Sequence, residues 1–567
     1  MSKPMTSAEK KLQFTVQCWE ECTIPATFEV EEPVELMVEM SDGVRLRTVY
    51  YRPKTEGKKV PLVFVRSCYP AKEDTYRLNA REFCKRGIAF LYQFCRGRGG
   101  SEGEWKPRTM YERTDGVETI RFIESLDWVG PVGYWGNSYL SMCGWVLMEG
   151  LSDRVKTMYL TNQGTDRYLS SFESGLLKQD LHTGWARENN DITAPAGHLE
   201  SCLYRPHISV DTDLWGKQLD WYREFISSDQ PDAEYWNRGL SKVMKEAPSH
   251  VKIPIYVGSS WFDIHHAGSE KAWATMAEEG HSQSVFCVGA WEHSFYSAMR
   301  GHPLEHMENN DNERALRWFL DILVEEKKPK AGARLYIIGA DEWHTYDRYP
   351  VPAEERVLYL SAEPSSPEAG SLKEACDALV TEKSYMYDPE NYVPSCGGEK
   401  LFSLRDQRGS VLQPPCGYRP DVLSFRSEII DRDVTIAGSI RGKLMVKSTA
   451  EDTAFTIKVM EEFPDGSTYN LRSGIATLAF RNGMEKREEY TPDTWVELEI
   501  PTWNIAWKPA IGSRIRIDIS SSDFPQYAIH SNYPGPFAEQ TVTCTAEQTI
   551  LLGGENSSYI ILPVLSD

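Results

Sequence analysis

The chain has 567 residues, of which 41% are apolar, 26% are charged and 11% are aromatic. Typical domain sizes therefore predict roughly three domains rather than a single core. The net charge of −21 argues against nucleic acid and anionic membranes as partners, because both bind basic surfaces.

The sequence carries no targeting signal that we recognise. Residues 1–13 contain lysines but no apolar segment of signal-peptide length, and no run of about 18 apolar residues could span a membrane. The twelve cysteines are scattered, and the closest pair, Cys18 and Cys22, is only a weak metal signal. We therefore expect free thiols in a reducing cytoplasm, with no metal and no cofactor.

The first third of the chain alternates between strands and helices. Residues 34–53 predict a hairpin, since apolar and polar residues alternate on both sides of Ser41-Asp42-Gly43. Buried strands are predicted at 61–66, 88–94 and 129–134, and helices at 76–86, 111–125 and 140–147. This alternation predicts an α/β fold built on a doubly wound parallel sheet.

The strand signal disappears between residues 167 and 247, where Trp, Tyr, Leu and charged residues recur at helical spacing. We interpret this segment as a helical cap over the carboxyl edge of the sheet. Strands resume at 253–257 and 285–288, and a helix at 313–326 ends the first domain.

A charged run at 325–330 predicts a linker, after which many short strands follow. They are predicted at 333–338, 357–360, 434–436, 442–446, 454–460, 495–500, 514–519 and 549–552. Their number and spacing predict an all-β jelly roll. The expected division is an extension at 1–33, a catalytic domain at 34–166 and 248–328, a cap at 167–247 and a jelly roll at 329–567.

The segment Gly136-Asn137-Ser138 lies between a predicted strand and a predicted helix. A Gly-x-Ser turn in this position is how α/β-hydrolases expose a nucleophilic serine on a strained elbow. The usual motif has a second glycine two residues after the serine, where this chain has Leu140. The motif alone is therefore weak evidence, because serines after glycine are common in turns.

Two further residues complete a catalytic set. Asp263 follows the strand at 253–257, and His293 follows the strand at 285–288. The order Ser, Asp, His, with each residue after a strand, is that of an α/β-hydrolase triad. We therefore predict that Ser138, Asp263 and His293 are catalytic.

Several neighbouring residues compete for these roles. His265 and His266 are interpreted as pocket lining, because no third metal ligand is evident. Glu292 could replace Asp263, but a residue adjacent to His293 points away from it on an extended segment. The glycine-rich segment 96–103 lacks the Gly-Lys-Ser/Thr ending of a phosphate loop and is interpreted as a turn beneath the site.

The chain resembles the cocaine esterase and X-Pro dipeptidyl-peptidase group of α/β-hydrolases over residues 34–565. The resemblance rests on a series of motifs in order: Met40-Ser41-Asp42-Gly43, the glycine-rich segment 96–104, Asp127-Trp128, Gly136-Asn137-Ser138-Tyr139-Leu140, Trp261-Phe262-Asp263, Gly289-Ala290-Trp291-Glu292-His293, Tyr387-Asp388-Pro389, Asp421-Val422-Leu423, Pro464-Asp465-Gly466 and the segment 519–525. It implies a hydrolase core, a helical cap and a carboxyl-terminal jelly roll.

The resemblance also implies an oxyanion hole, formed by the hydroxyl of Tyr69 and the backbone N–H of Tyr139. The sequence departs from the family at Ser141, where glycine is usual, and at Ile264 and His265, where esterase members have a glycine and a bulky apolar residue. The absence of acidic residues directly after Asp263 disfavours the α-amino acid ester hydrolase branch.

The leading functional hypothesis is a serine hydrolase that cleaves small carboxylic esters through an acyl-enzyme. An X-Pro dipeptidyl-peptidase, an amidase or an acyltransferase on the same triad stays open, as does a non-catalytic binding protein. The peptidase would need an acidic grip on a free amino terminus from the cap, for which Glu173, Asp180, Glu188 and Asp191 are candidates. Aromatic candidates for the pocket are Trp185, Trp215, Trp221, Tyr222 and Phe225. A homo-oligomer is also compatible with the sequence.

Overall fold

The computed structural model describes residues 5–301, 304–363, 366, 368–483 and 486–565. The strands of these residues form a ten-stranded sheet, a thirteen-stranded sheet and a two-stranded hairpin. No helix of the described chain has the length and apolarity that a membrane span requires.

The amino-terminal extension contains a helix, α1 (Ser7–Glu20), that we did not predict. It begins with a capping box in which the side chains of Thr6 and Glu9 each accept a backbone N–H of the other residue. Only Thr15, Cys18 and Trp19 are buried in this helix, so its apolar face is too narrow to give a clear helical period.

The first part of the ten-stranded sheet follows the predicted alternation closely. Its elements are β1 (Val34–Glu39), β2 (Arg45–Tyr51), β3 (Val60–Ser67), α2 (Glu73–Cys84), β4 (Ala89–Phe94), α3 (Tyr111–Ser125), β5 (Val129–Asn137), α4 (Tyr139–Trp145) and β6 (Val155–Thr161). All six residues of β4 are buried, as expected of a strand covered on both faces.

The predicted cap is largely helical. It contains the short hairpin β7 (Phe172–Glu173) and β8 (Leu176–Leu177), and the helices α5 (Gln179–Glu188), α6 (His198–Leu203), α7 (Val210–Asp213), α8 (Asp220–Ser227) and α9 (Gly239–Glu246). A separate apolar cluster that includes Phe172, Trp215, Tyr222, Phe225 and Trp236 holds these helices together.

The chain then returns to the first sheet. The remaining elements are β9 (Ile255–Phe262), α10 (His266–Glu278), β10 (Val285–Glu292), α11 (Asp311–Phe319), β11 (Gly332–Ile337) and β12 (Glu342–Tyr346). The strand order is β1-β2-β4-β3-β5-β6-β9-β10-β11-β12. The seven neighbouring strands β4, β3, β5, β6, β9, β10 and β11 of this sheet are parallel, so their carboxyl ends meet at one edge of the sheet.

One predicted strand lies in a different sheet from the one we expected. We assigned residues 333–338 to the jelly roll, but β11 pairs in parallel with β10, with Val285 opposite Gly332. The charged run at 325–330 is therefore the connection between α11 and the next strand of the first sheet. Its composition suits a linker or a surface turn equally well, and a short apolar strand has the same pattern in either sheet.

The carboxyl-terminal part is a largely antiparallel β-structure. Its strands are β13 (Glu354–Ser361), β14 (Gly370–Lys373), β15 (Thr381–Tyr387), β16 (Leu423–Ser427), β17 (Ile436–Gly438), β18 (Arg441–Ser448), β19 (Ala454–Glu462), β20 (Thr468–Thr477), β21 (Val496–Pro501), β22 (Ile505–Trp507), β23 (Arg514–Ser520), β24 (Ala546–Leu552) and β25 (Tyr559–Val564). The predicted fold class, an α/β-hydrolase with a helical cap and an all-β carboxyl-terminal domain, is confirmed.

Candidate active site

Ser138 stands on a sharp turn directly after β5 and before α4. Its backbone has φ 60° and ψ −127°, a strained conformation for a residue with a side chain. Gly136 is required here, because a Cβ atom at this position would lie 2.4 Å from the carbonyl oxygen of Leu140. The turn therefore has the geometry of a nucleophile elbow although Leu140 replaces the second glycine.

A hydrogen-bonded series links the three predicted catalytic residues. The Nε2 atom of His293 lies 2.8 Å from the Oγ atom of Ser138, and its Nδ1 atom lies 2.5 Å from the Oδ2 atom of Asp263. Asp263 is fully buried and directly follows β9, and His293 directly follows β10. A carboxylate at Nδ1 fixes the tautomer in which Nε2 accepts the serine proton.

Further hydrogen bonds hold the Ser138–His293–Asp263 series in place. The Oδ1 atom of Asp263 accepts the backbone N–H of His265 at 2.8 Å. The amide of Asn162 donates to the carbonyl oxygen of His293 at 2.8 Å and accepts the hydroxyl of Ser260 at 3.1 Å. Our sequence analysis did not find Asn162, which has no motif of its own.

Tyr69 lies in the loop after β3 and lines the same cavity as Ser138. Its hydroxyl oxygen accepts a hydrogen bond from Nε1 of Trp185 at 3.0 Å. Burial raises the pKa of Tyr69 well above its usual range, so the phenol keeps its proton. The structure therefore leaves this proton available to an acceptor in the cavity.

Tyr139, the first residue of α4, is placed differently. Its hydroxyl donates to the carboxyl group of Glu112 and accepts the backbone N–H of Arg108 at 3.1 Å. Its ring stacks on that of Trp185 at a centroid distance of 5.7 Å. Burial raises the pKa of Glu112 to about 7. The side chain of Tyr139 is thus structural.

These residues open into a cavity of about 1500 Å³. Its walls come from the loops after the parallel strands, from the cap, from α1 and from the segment 401–408. A cavity of this size that contains a serine hydroxyl, an imidazole bonded to it and a phenol has the parts that acyl transfer needs.

The same residues lie within a recognised pair of domains. The family model for X-Pro dipeptidyl-peptidase (S15 family) matches residues 42–295, and the model for the X-Pro dipeptidyl-peptidase C-terminal non-catalytic domain matches residues 323–561. The chain belongs to the cocaine esterase and X-Pro dipeptidyl-peptidase family. It is therefore a serine hydrolase of the α/β-hydrolase fold.

Individual proteins also match along almost the whole chain. A cocaine esterase from a Rhodococcus species is 28% identical over 94% of this chain and 98% of its own. The structure of an α-amino acid ester hydrolase superposes with a TM-score of 0.80 at 20% identity, over 99% of this chain and 98% of its own. An aminopeptidase from a marine sediment archaeon gives a TM-score of 0.79 at 18% identity, over 100% and 98% of the two chains.

The competing residues have other surroundings. His265 lines the cavity, whereas His266 is buried, its Nδ1 pairs with the hydroxyl of Ser259 at 2.9 Å and its Nε2 lies 3.1 Å from Glu270, so only one of the two is pocket lining. In the glycine-rich segment, Arg98 donates to the carbonyl oxygen of Cys68 at 3.0 Å, next to Tyr69. This segment thus supports the loop that carries Tyr69, as expected of a turn beneath the site.

Most cap residues proposed for the pocket have structural contacts instead. Of the aromatic candidates, only Trp185 lines the cavity, while Trp215, Tyr222 and Phe225 are buried in the core of the cap. Asp180 accepts backbone N–H groups of residues 401–403, and Asp191 is exposed beside Arg98.

Proposed function

We propose that this protein hydrolyses carboxylic esters through an acyl-enzyme formed on Ser138. The observation that carries the proposal is the series of hydrogen bonds from Ser138 through His293 to Asp263, at 2.8 and 2.5 Å. Such a series makes a serine hydroxyl nucleophilic, because the imidazole accepts the proton as the oxygen attacks.

In the proposed acylation step, the Oγ atom of Ser138 attacks the ester carbonyl carbon while Nε2 of His293 takes its proton. Asp263 stabilises the resulting imidazolium through Nδ1. His293 then donates the proton to the departing alkoxide, which leaves as the alcohol. Deacylation repeats these steps with water in place of the serine, and it returns the carboxylic acid and the free enzyme.

Both tetrahedral intermediates carry a negative oxygen that needs preorganised donors. We assign these roles to the Tyr69 hydroxyl and the backbone N–H of Tyr139. The bond from Trp185 occupies a lone pair of the Tyr69 oxygen and leaves its proton free to donate. This arrangement favours the phenol as a donor to the oxyanion.

The surroundings of the cap carboxylates favour an ester over an X-Pro peptide. A dipeptidyl-peptidase needs a carboxylate in the cavity to bind the free amino terminus of its substrate. Glu173 lies 3.7 Å from Lys178, Asp180 bonds to the segment 401–403, and Asp191 is exposed. Of the four candidates, only Glu188 lines the cavity.

The proposal is tested by measuring hydrolysis of p-nitrophenyl butyrate and of alanyl-prolyl-p-nitroanilide with the wild type and Ser138→Ala. We expect fast ester cleavage, an inert anilide, and loss of ester cleavage in the variant. Preferred cleavage of the anilide would replace the ester assignment by the peptidase. Glu188→Gln would then show whether that carboxylate binds the ammonium group.

A further inference from the structure

One wall of the cavity carries five polar residues that we call the cationic wall: Arg167, Ser170 and His182 from the cap segment, and Arg108 and His265 from the catalytic domain. Each has a buried side-chain nitrogen or oxygen atom without a hydrogen-bond partner. Such atoms are rare in folded proteins, because burying a polar group without a partner costs free energy. Five of them facing one cavity point to a ligand that supplies the missing partner.

Arg108 is held at this wall by aromatic rings rather than by a carboxylate. Its guanidinium carbon lies 5.0 Å from the ring centroid of Trp185, 5.4 Å from that of Trp221 and 4.8 Å from that of Phe225. Burial lowers the pKa of Arg108 to about 10, with a further contribution from the nearby charge of Arg167. The two guanidinium groups thus repel each other in a site that removes them from water.

The other members of the wall are almost entirely buried. Arg167 is 6% exposed, Ser170 is 2% exposed and His182 is 3% exposed. Nε2 of His182 donates to the backbone carbonyl oxygen of Ser170 at 3.1 Å, which leaves Nδ1 as an acceptor without a donor. Burial and the arginine charges lower the pKa of His182 well below its usual range, so its imidazole is neutral.

Other buried guanidinium groups of the protein have carboxylate partners. Arg516 makes two bonds to Asp518 at 2.9 and 2.7 Å, and Arg96 makes two to Asp115 at 2.8 and 2.7 Å. Across the part of the chain that the structure describes, no ion pair includes Arg108 or Arg167. An unpaired buried charge is strongly unfavourable, which makes these two arginines exceptional.

The cationic wall lies close to the proposed catalytic residues. The ring of His265 is 5.5 Å from that of His293, centroid to centroid. Arg108 stacks on Trp185, whose indole N–H contacts the hydroxyl of Tyr69. A molecule that reaches Ser138 therefore lies beside the wall.

From this arrangement we infer that the substrate carries a carboxylate group, which the guanidinium groups of Arg108 and Arg167 bind while Ser138 attacks the ester. The inference deepens the proposed function and rests on it. A carboxylate offers two oxygens with about four acceptor positions, and guanidinium forks match it in geometry and charge. The net charge of −21 does not oppose this binding, because charges beyond about 8 Å are screened at physiological salt.

The test compares esters that differ only in the presence of a carboxylate. One pair is mono-p-nitrophenyl adipate and its methyl-capped diester, which places the charge in the acyl group. The other pair is 4-(butanoyloxy)benzoate and its methyl ester, which places the charge in the alcohol. After subtraction of spontaneous hydrolysis, we expect kcat/KM in one of the two pairs to be at least about tenfold higher for the charged ester than for its neutral partner. The pair that shows this preference tells whether the carboxylate belongs to the acyl group or to the alcohol.

Two variants show whether the wall causes this preference. Arg167→Gln should remove most of it, so that the ratio of kcat/KM between the charged and the neutral member of a pair falls toward one. The matched control is Arg238→Gln, which removes the same charge from an exposed cap arginine beside Glu224. It should keep the full preference. A preference unchanged in Arg167→Gln would overturn the inference.

A binding measurement separates failure of this inference from failure of the proposed function. A fluorophosphonate probe should label Ser138, and adipate should slow the labelling more than the neutral diamide adipamide does. Labelling without selective protection, together with equal rates for the charged and neutral esters, would reject the carboxylate and keep the ester hydrolase. Absence of both labelling and ester cleavage would reject the proposed function, and the inference with it.

Discussion

The two walls of the cavity differ in how their polar groups are satisfied. On the hydrolase side, Ser138, His293 and Asp263 are bonded to one another, and the Tyr69 oxygen accepts from Trp185. On the opposite side, both arginines and both histidines of the cationic wall keep unpartnered nitrogen atoms. The polar groups of the first wall bond to one another, whereas those of the second wall keep atoms without a partner in the described chain. The proposed chemistry therefore belongs to the sheet edge, and the inferred recognition belongs to a wall that the cap and the catalytic domain share.

The largest effect that would test the hydrolase wall is expected from Asp263→Asn. An amide at this position favours the wrong tautomer of His293, so kcat should fall by about ten-thousandfold. Steady-state hydrolysis of p-nitrophenyl butyrate measures the loss, and circular dichroism checks that the variant is folded. A decrease of less than tenfold would mean that another group orients His293.

Two tyrosines provide a matched test of the oxyanion hole. Tyr69→Phe should lower kcat by about a hundredfold or more with little change in KM, since the phenol donates only to the transition state. Tyr139→Phe should have a much smaller effect, because that hydroxyl is bonded to Glu112 on the far side of the ring. Equal losses in the two variants would contradict the assignment of Tyr69.

Trp185 connects the two walls, because its indole contacts both Tyr69 and Arg108. Trp185→Phe keeps an aromatic ring but removes the N–H donor that orients the Tyr69 hydroxyl. The loss of one such hydrogen bond should lower kcat by about fivefold. In the double variant with Tyr69→Phe, the two losses should be less than additive, and full additivity would show that the residues act independently.

The smallest effect on activity is expected from Glu112→Gln, which should alter the pH dependence of stability. Burial raises the folded-state pKa of Glu112 to about 7, above its usual value of about 4.5, so the folded protein binds a proton that the unfolded chain releases. The contribution of Glu112 to the unfolding free energy of the wild type is fully present below about pH 4.5, and it is lost as the pH rises through about 7.

Gln cannot titrate, so the variant should lack this dependence. Between pH 5 and 8, the wild type should lose up to about 3 kcal/mol more of its unfolding free energy than the variant loses. Chemical denaturation at the two pH values measures this difference. Parallel curves for the two proteins would show that Glu112 has an ordinary pKa in the folded state.

The same contrast explains what the sequence could predict. Ser138, Asp263 and His293 each directly follow a parallel strand, so their order and strand positions were sufficient to place them at one edge. The Gly136-Asn137-Ser138 turn could be recognised because a Gly-x-Ser motif lies between a predicted strand and a predicted helix, and the structure shows that only glycine fits so close to the backbone of Leu140. Tyr69 was found only through the family resemblance, since a tyrosine in a loop has no motif.

The cationic wall could not be predicted from the sequence. Arg108 comes from the loop before α3, Arg167 precedes the cap hairpin and His182 lies in α5, and nothing in their spacing indicates that they meet. Whether a charged residue has a partner depends on tertiary packing and not on periodicity. For the same reason, β11 was placed in the wrong sheet, because local pattern does not specify which strand it pairs with.

The central claim is that Ser138 is the nucleophile, and the most direct measurement is intact-protein mass spectrometry after reaction with a fluorophosphonate, followed by peptide mapping. The account predicts one adduct per chain on the peptide that contains Ser138, none in Ser138→Ala, and loss of ester hydrolysis in proportion to labelling. An unlabelled Ser138 in a protein that still hydrolyses p-nitrophenyl butyrate would contradict it.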